Sequence, residues 1–225
     1  MLEVILDTET TGLSNTERHR IVEIGCIELN NQIPTNNIFH EYINPQRSVS
    51  EEAYKVHGYS DKFLSDKKTF EEISDGFLNF IKNKKLIIHN ASFDLSFLNY
   101  ELRLIKKDEI NKKNIIDTLE IARGKYPGSQ NSLDALCKRF NIDNSRREKH
   151  SAIIDCQLLK EVYVNLLDQK EPKFNLENSE VIDYSSKQDN NFNNKKTKKI
   201  IIKPSKEELQ LHKEYLKSNL SKNYY

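Results

Sequence analysis

Residues 3–13 read Glu3-Val4-Ile5-Leu6-Asp7-Thr8-Glu9-Thr10-Thr11-Gly12-Leu13, an apolar run that ends in two acids two positions apart. Branched apolar residues followed by Thr and Gly describe a strand running into a turn. Strand side chains alternate between faces, so Asp7 and Glu9 project from the same one. Two carboxylates held together repel unless a cation lies between them. A ligand set made only of oxygens suits magnesium or manganese. Taken alone, the pair is equally accounted for as turn residues at the end of a strand.

Outward from this strand, Ile21 to Leu29 and Phe39 to Asn44 read as two more, with no helical pattern between them. Short polar connections such as Asn30-Asn31 favour an antiparallel meander. Helical periodicity begins at Thr69, where Thr69 and Glu72 fit a capping box and Phe70, Ile73, Phe77 and Ile81 recur on one face. Leu86 to His89 reads as a short buried strand. It is followed by a helix from Ser92 to Ile105 with Phe93, Phe97 and Leu104 aligned, then a strand at Asn114 to Asp117. Further helices are expected at Leu119 to Lys125, Leu133 to Phe140 and Ala152 to Leu167. A meander followed by strand-helix-strand-helix implies a mixed five-stranded α/β sheet, antiparallel first and then parallel, flanked by helices. That is the outline of a ribonuclease H-like fold.

Two more acids stand at informative places. Asp94 follows the strand Leu86 to His89 and falls in the first turn of the next helix, where the helix dipole favours a negative charge. Ligands of open sheets also gather at the carboxyl ends of strands. Asp155 aligns with Leu159, Val162 and Leu166, the stripe expected to face the sheet, and burying a lone carboxylate there costs several kcal/mol. A metal or a hydrogen-bonded partner removes that cost. His150 follows the charged, turn-like run Asp143 to Lys149, which places it on a loop ahead of that helix.

Composition bounds the partners. With 225 residues, 36% apolar and 31% charged, the chain holds one well-buried domain plus an appendage. Residues 1–169 carry 23 Lys and Arg against 26 Asp and Glu, and residues 170–225 carry 12 against 8. The front part is therefore slightly acidic, and a nucleic acid bound there needs metal ions for much of the positive charge. No basic stretch precedes a long apolar run, so neither a signal peptide nor a spanning helix is expected, and the cytoplasm is the expected location. Cys26, Cys137 and Cys156 lack the close spacing of a zinc site and read as buried small hydrophobes.

Three segments in order resemble the motifs of DEDD nucleases. Leu6-Asp7-Thr8-Glu9-Thr10-Thr11-Gly12-Leu13 resembles the first, His89-Asn90-Ala91-Ser92-Phe93-Asp94 the second and His150-Ser151-Ala152-Ile153-Ile154-Asp155 the third. A histidine in the last motif is similar to the histidine-bearing branch. Val56-His57-Gly58, Asn131-Ser132-Leu133-Asp134-Ala135-Leu136-Cys137 and Asp143-Asn144-Ser145-Arg146-Arg147 are further similar to the epsilon proofreading family of bacterial DNA polymerase III. The resemblance covers about residues 3 to 167.

The resemblance implies a 3′ to 5′ exonuclease acting on single-stranded or mispaired DNA 3′ ends through two divalent ions, magnesium or manganese. Asp7, Glu9 and Asp155 would hold one ion, Asp7 would bridge to the second, and Asp94 would act directly or through water. His150 would take the proton of the attacking water. Thr10, Glu52 and His57, with Glu9 and Asp155, match positions that contact the terminal nucleotide. His57 in its Val-His-Gly turn, and His89 at the end of a buried strand, are also accounted for as structural residues.

Residues 1–169 are thus expected to form the exonuclease domain. Residues 170–198, rich in Asn, Lys, Ser and Asp, read as a flexible linker. Residues 199–225 regain Ile200, Ile201 and Ile202 and then Leu209, Leu216 and Leu220, and read as a strand and helix that order on a partner. The resemblance makes that partner the catalytic alpha subunit of the polymerase. Gln169-Lys170-Glu171-Pro172-Lys173-Phe174 stands where a sliding-clamp peptide falls, but with Pro172 in place of a large apolar residue, so a polar linker fits equally. A freestanding exonuclease trimming RNA or short oligonucleotides would share the chemistry but has no need of the tail. A catalytically dead nucleic-acid-binding module would have lost one or more of the acids.

Overall fold

Five strands form one sheet in the order β3-β2-β1-β4-β5. The computed structural model describes residues 2–145, 147, 149–167 and 204–219, and the chain divides into two units, residues 1–174 and 175–225. β1 (Leu2–Thr10), β2 (Ile21–Asn30) and β3 (Ile33–Tyr42) are antiparallel, and β4 (Lys85–Ile88) and β5 (Ile115–Asp117) run parallel to β1. This is the expected meander followed by parallel strands. β3 begins earlier than Phe39 because Asn31 and Gln32 both take positive φ (50° and 67°) and reverse the chain within two residues. Its first half, Pro34 to Asn37, is polar because it lies at the sheet's edge.

The sheet is covered on both faces. Val4, Leu6, Ile24, Cys26, Leu86 and Ile88 pack with Phe70, Phe77 and Phe97 from α3 (Phe70–Ile81) and α4 (Ala91–Leu104). Ile5, Ile27, Leu29 and Ile87 face the other way. They pack against α5 (Thr118–Lys125), α6 (Leu133–Phe140) and α7 (Ala152–Leu166). Strand alternation thus puts Asp7 and Glu9 on the α7 side and Thr8 on the α4 side. In α4 the buried apolar residues are Ala91, Leu95, Phe97, Leu98 and Leu102, whereas Leu104, the last residue of the helix, is exposed and Phe93 is only partly buried, so the expected face holds only at Phe97. The three cysteines are free and buried, as their spacing implied.

Two helices escape periodicity by being short. α1 (Glu51–His57) and α2 (Asp61–Leu64) are capped by Ser50 and Ser60, and Gly58 closes α1 at φ 78°. They form a wall beside the carboxyl end of β1, since Ser50 N–H donates to the Thr11 carbonyl at 3.0 Å. The opposite wall, residues 11–20, is tied to α4 by Arg20, whose Nε and Nη2 reach the buried Glu101 at 2.7 and 2.6 Å.

α7 starts unusually close to the sheet. A Cβ on Gly25 would lie 2.6 Å from the Ala152 backbone, so only glycine admits the helix there.

In the second unit, α8 (Lys206–Asn219) is the helix expected of the tail. Ser205 and Glu208 cap it reciprocally, the Glu208 N–H donating to Ser205 Oγ and the Ser205 N–H to Glu208 Oε2. Leu209, Leu211 and Tyr215 are exposed. The expected strand at residues 200–202, the linker and the clamp-like segment lie outside the described residues. No described helix is long and apolar enough to cross a membrane.

Candidate active site

The four acids read from the sequence meet at the carboxyl ends of β1 and β4. Asp94 is 3% exposed and accepts a 2.7 Å hydrogen bond from Thr8 Oγ1, which points to α4 because it lies between Asp7 and Glu9 in the alternation. α4 is held in place by β5. Asp117 accepts from the Asn90 and Ala91 N–H groups at 3.1 and 2.9 Å, occupying the otherwise orphaned donors of the helix start. Asp155, also 3% exposed, sits in the first turn of α7 and faces the Asp7 and Glu9 side of β1.

These carboxyls are held far from their ordinary behaviour. Burial pushes Asp7 well up, and Asp94, then Glu9 and Asp155, add repulsion. Burial, followed by the charges of Asp155 and Glu23, raises Glu9 to about 8. Burial raises Asp94 to about 7 against the opposing bond from Thr8. Among the described residues no hydrogen-bond donor reaches the side chain of Asp7 or Glu9. Charge so concentrated and so poorly countered fits a site for hard cations bound by oxygen.

One positive group of the protein does enter. Arg147 grips Asp155 with Nε to Oδ1 at 2.5 Å and Nη2 to Oδ2 at 2.6 Å, and its Nη1 reaches Asp134 at 2.7 Å. Burial raises Asp155 and Arg147 opposes it. His150 stands on the loop before α7 with 43% of its side chain exposed, Nδ1 3.5 Å from Asp155 Oδ2 and 2.9 Å from Arg147 Nη2. Burial, then the Arg147 charge, lowers its pKa. Glu9, His150 and Asp155 each offer a ligand atom within 4.8 Å of the others.

A cleft of about 480 Å³ opens beside Glu9, lined among others by Thr10, Leu13, Glu52, His57 and Phe93. Four of the five residues matched to nucleotide contacts, Glu9, Thr10, Glu52 and His57, are therefore brought to one place, while Asp155 does not line the cleft. Thr10 Oγ1 is turned to the Gly12 carbonyl at 2.7 Å, and Glu52 is exposed. His57 is buried. Its Nδ1 accepts from the Tyr59 N–H at 3.0 Å, and its Nε2 is the one buried side-chain nitrogen or oxygen of the described residues without a partner. A second cleft, of about 560 Å³, lies around His89, Arg123 and Asn131 and contains none of the four acids. His89 there is held by Thr118 Oγ1 at 2.9 Å, in keeping with its structural reading.

Sequence reasoning missed Glu23, Tyr59 and the role of Arg147. Glu23 sits inside an apolar run, in phase with Gly25, which is the one signal that marks it. Arg147 lies in a charged segment with nothing to single it out.

The profile of the family described as Exonuclease (RNase_T) matches residues 4–163. The chain belongs to the exonuclease family. Within that family it is 52% identical over 222 residues to the DNA polymerase III subunit epsilon of Rickettsia felis, a match that covers 97% of this chain and 96% of the relative. The fold is that of solved exonucleases. The nuclease domain of 3′hExo, a DEDDh family member bound to rAMP, superposes with a TM-score of 0.66 at 19% identity, covering 75% of this chain and 92% of that domain. Exonuclease X in complex with 5′ overhanging duplex DNA gives 0.59 at 25% identity, covering 74% and 92%. The matched exonuclease segment contains Asp7, Glu9, Asp94, His150 and Asp155.

Proposed function

We propose that this exonuclease removes mispaired nucleotides from DNA 3′ ends as the proofreading subunit of a replicative polymerase. The observation that carries the reading is the convergence of Asp7, Glu9, Asp94 and Asp155, with His150, beside a cleft large enough for a terminal nucleotide. Relatives named DNA polymerase III subunit epsilon support the proofreading role.

Asp7, Glu9 and Asp155 would hold one divalent ion, magnesium or manganese, and Asp7 with Asp94 a second. When bound, such ions lower the pKa of water and stabilise charge on the leaving oxygen. The chain's own residues do the rest. Thr10, Glu52 and His57 seat the last nucleotide in the cleft, with Glu9 and Asp155 at its reacting end. His150 accepts the proton of the attacking water, and its exposed loop position leaves it room to reach the strand end. Hydrolysis forms the phosphorus–oxygen bond to water and breaks the one to the 3′ oxygen of the preceding nucleotide, which takes a proton from solvent to become the new 3′ hydroxyl as the mononucleotide is released.

The decisive assay is release of mononucleotides from mispaired DNA 3′ ends, with matched DNA and RNA strands alongside. We expect magnesium-dependent release from mispaired DNA at the highest rate. Faster digestion of RNA than of DNA would replace proofreading by RNA trimming.

The tail is assigned to the polymerase. The likeness to the Rickettsia relative spans 97% of this chain, so it reaches past the nuclease core, and α8 carries its own cap and exposed apolar residues. Residues 199–225 would bind the catalytic subunit, residues 170–198 would serve as a tether, and Gln169 to Phe174 would offer the sliding clamp a Gln and a Phe. Acting on chromosomal DNA ends, the chain would work in the cytoplasm. Deleting residues 180–225 should abolish co-purification with the polymerase catalytic subunit and spare nuclease activity. A complex that survives the deletion refutes the assignment.

A further inference from the structure

We infer that Glu23 is a positioning residue that sets the start of α7, and with it Asp155 and His150, against the acids of β1. The inference rests on the reading of these residues as the metal-dependent nuclease centre.

Glu23 is fully buried, yet its carboxylate accepts four hydrogen bonds. His40 Nε2 and Ser151 Oγ reach Oε1 at 2.7 and 2.9 Å, and Tyr59 Oη and the Ala152 N–H reach Oε2 at 2.8 and 2.9 Å. Every lone pair facing the protein is therefore used, which offsets the cost of burying the charge. Together these bonds hold its pKa down against burial.

Two of the donors are the first residues of α7. Ser151 occupies the N-cap position but makes no side-chain cap. Its hydroxyl goes to Glu23 instead. Ala152 supplies one of the helix's orphaned N–H groups, so the carboxylate also meets the positive end of the helix dipole. Two positions along β2, Gly25 admits the Ala152 backbone, and its carbonyl accepts from Cys156 Sγ at 3.2 Å. Asp155 lies one turn on, with its N–H bonded to the Ser151 carbonyl at 2.9 Å. A shift of the helix start is thus transmitted to Asp155 without loss, and His150 is the residue immediately before Ser151.

Of the other two donors, one is tied to the cleft through His57, which lines it. Tyr59 stacks on His57 with ring centroids 4.8 Å apart, and His40 belongs to β3. One carboxylate accordingly joins the nucleotide cleft to the helix that carries Asp155. Glu9 pairs directly with Glu23 across the β1–β2 ladder, which fixes where that junction stands relative to the metal-facing acids.

The test uses the full chain, with manganese binding followed by calorimetry and kcat measured on a mispaired 3′ end. Glu23→Ala is expected to lower manganese affinity or kcat by about 10- to 100-fold, the range seen when a group supporting a metal ligand is removed. Glu23→Gln keeps an oxygen for the Ala152 N–H and should stay within about threefold of wild type, since Ser, Tyr and His donors can turn to suit an amide. A purely structural role lowers the thermal midpoint and leaves both readouts unchanged at temperatures where the variant is folded, which overturns the inference. If Glu23→Ala does not fold, the double variant Ser151→Ala, Tyr59→Phe removes two of the four bonds. An unchanged manganese affinity and kcat in that protein overturns the inference equally. Wild-type protein that binds manganese but releases no nucleotide discards the nuclease reading, and the Glu23 effect on affinity still decides positioning.

Discussion

Replacing Asp7 with asparagine should eliminate exonuclease activity, by at least about 10⁴-fold in kcat as for removal of a member of a catalytic unit, and should make the metal-free protein more stable. The two effects share one cause. Asp7 lies where Asp94, Glu9 and Asp155 all raise its pKa, and no described donor neutralises it. Its charge is tolerated for function at a cost to the fold, the usual trade at an active site. Asparagine keeps the shape and removes the repulsion.

The same electrostatics set the pH dependence of the metal-free wild type. Glu9 and Asp94, raised to about 8 and about 7, bind protons more tightly folded than unfolded. That contribution is complete below the ordinary carboxylate range and is lost as pH rises through those values. The thermal midpoint without metal should therefore fall from about pH 4, where the unfolded carboxyls titrate, to about pH 8, where the folded ones have lost their protons, and magnesium should flatten the slope by binding only the folded acids. Asp7→Asn should show a shallower slope and a higher midpoint at the alkaline end. Activity within tenfold of wild type, or a midpoint that drops at alkaline pH relative to wild type, would remove Asp7 from the centre of the site.

Much of this arrangement was readable because it rests on alternation and periodicity. Asp7 and Glu9 share a face for no reason beyond the period of a strand, and Asp155 lies on the same stripe as Leu159, Val162 and Leu166 for no reason beyond that of a helix. The stripe already required a partner for Asp155. That the partner is Arg147 was hidden, because a long side chain on a loop can satisfy many acids and the sequence does not say which. Glu23 was hidden for the opposite reason. A polar residue in an apolar run looks like an interruption, and its four donors come from β3, from the loop after α1 and from α7, far apart in the chain. The helices α1 and α2 are one or two turns long and carry almost no apolar periodicity. Only Ser50, Ser60 and Gly58 announce them, through caps rather than pattern. The early start of β3 was lost because an edge strand need not be apolar.

Replacing His150 with alanine should separate a general base from a metal ligand. As a general base it should contribute about 10²- to 10⁴-fold to kcat. As a ligand beside Glu9 and Asp155, whose atoms it approaches within 4.8 Å, it should contribute to metal affinity instead. The base is favoured by its surroundings. Arginine has no acceptor, so Arg147 Nη2 donates to Nδ1, and a neutral ring in this arrangement carries its proton on Nε2. Parting from Arg147 frees Nδ1 for the proton of water, a movement that the half-exposed loop position permits. Burial, then the cationic Arg147 beside it, lowers the pKa and keeps the ring neutral down to and below its ordinary value of about 6.5, as a base requires. The kcat profile of wild type should therefore fall only on the acid side of about pH 6.5, as the ring gains its proton. In His150→Ala that limb should vanish along with the rate, while manganese affinity stays near wild type. If affinity instead falls as far as it does in Asp155→Ala, His150 is a ligand, and the proton of the attacking water goes elsewhere.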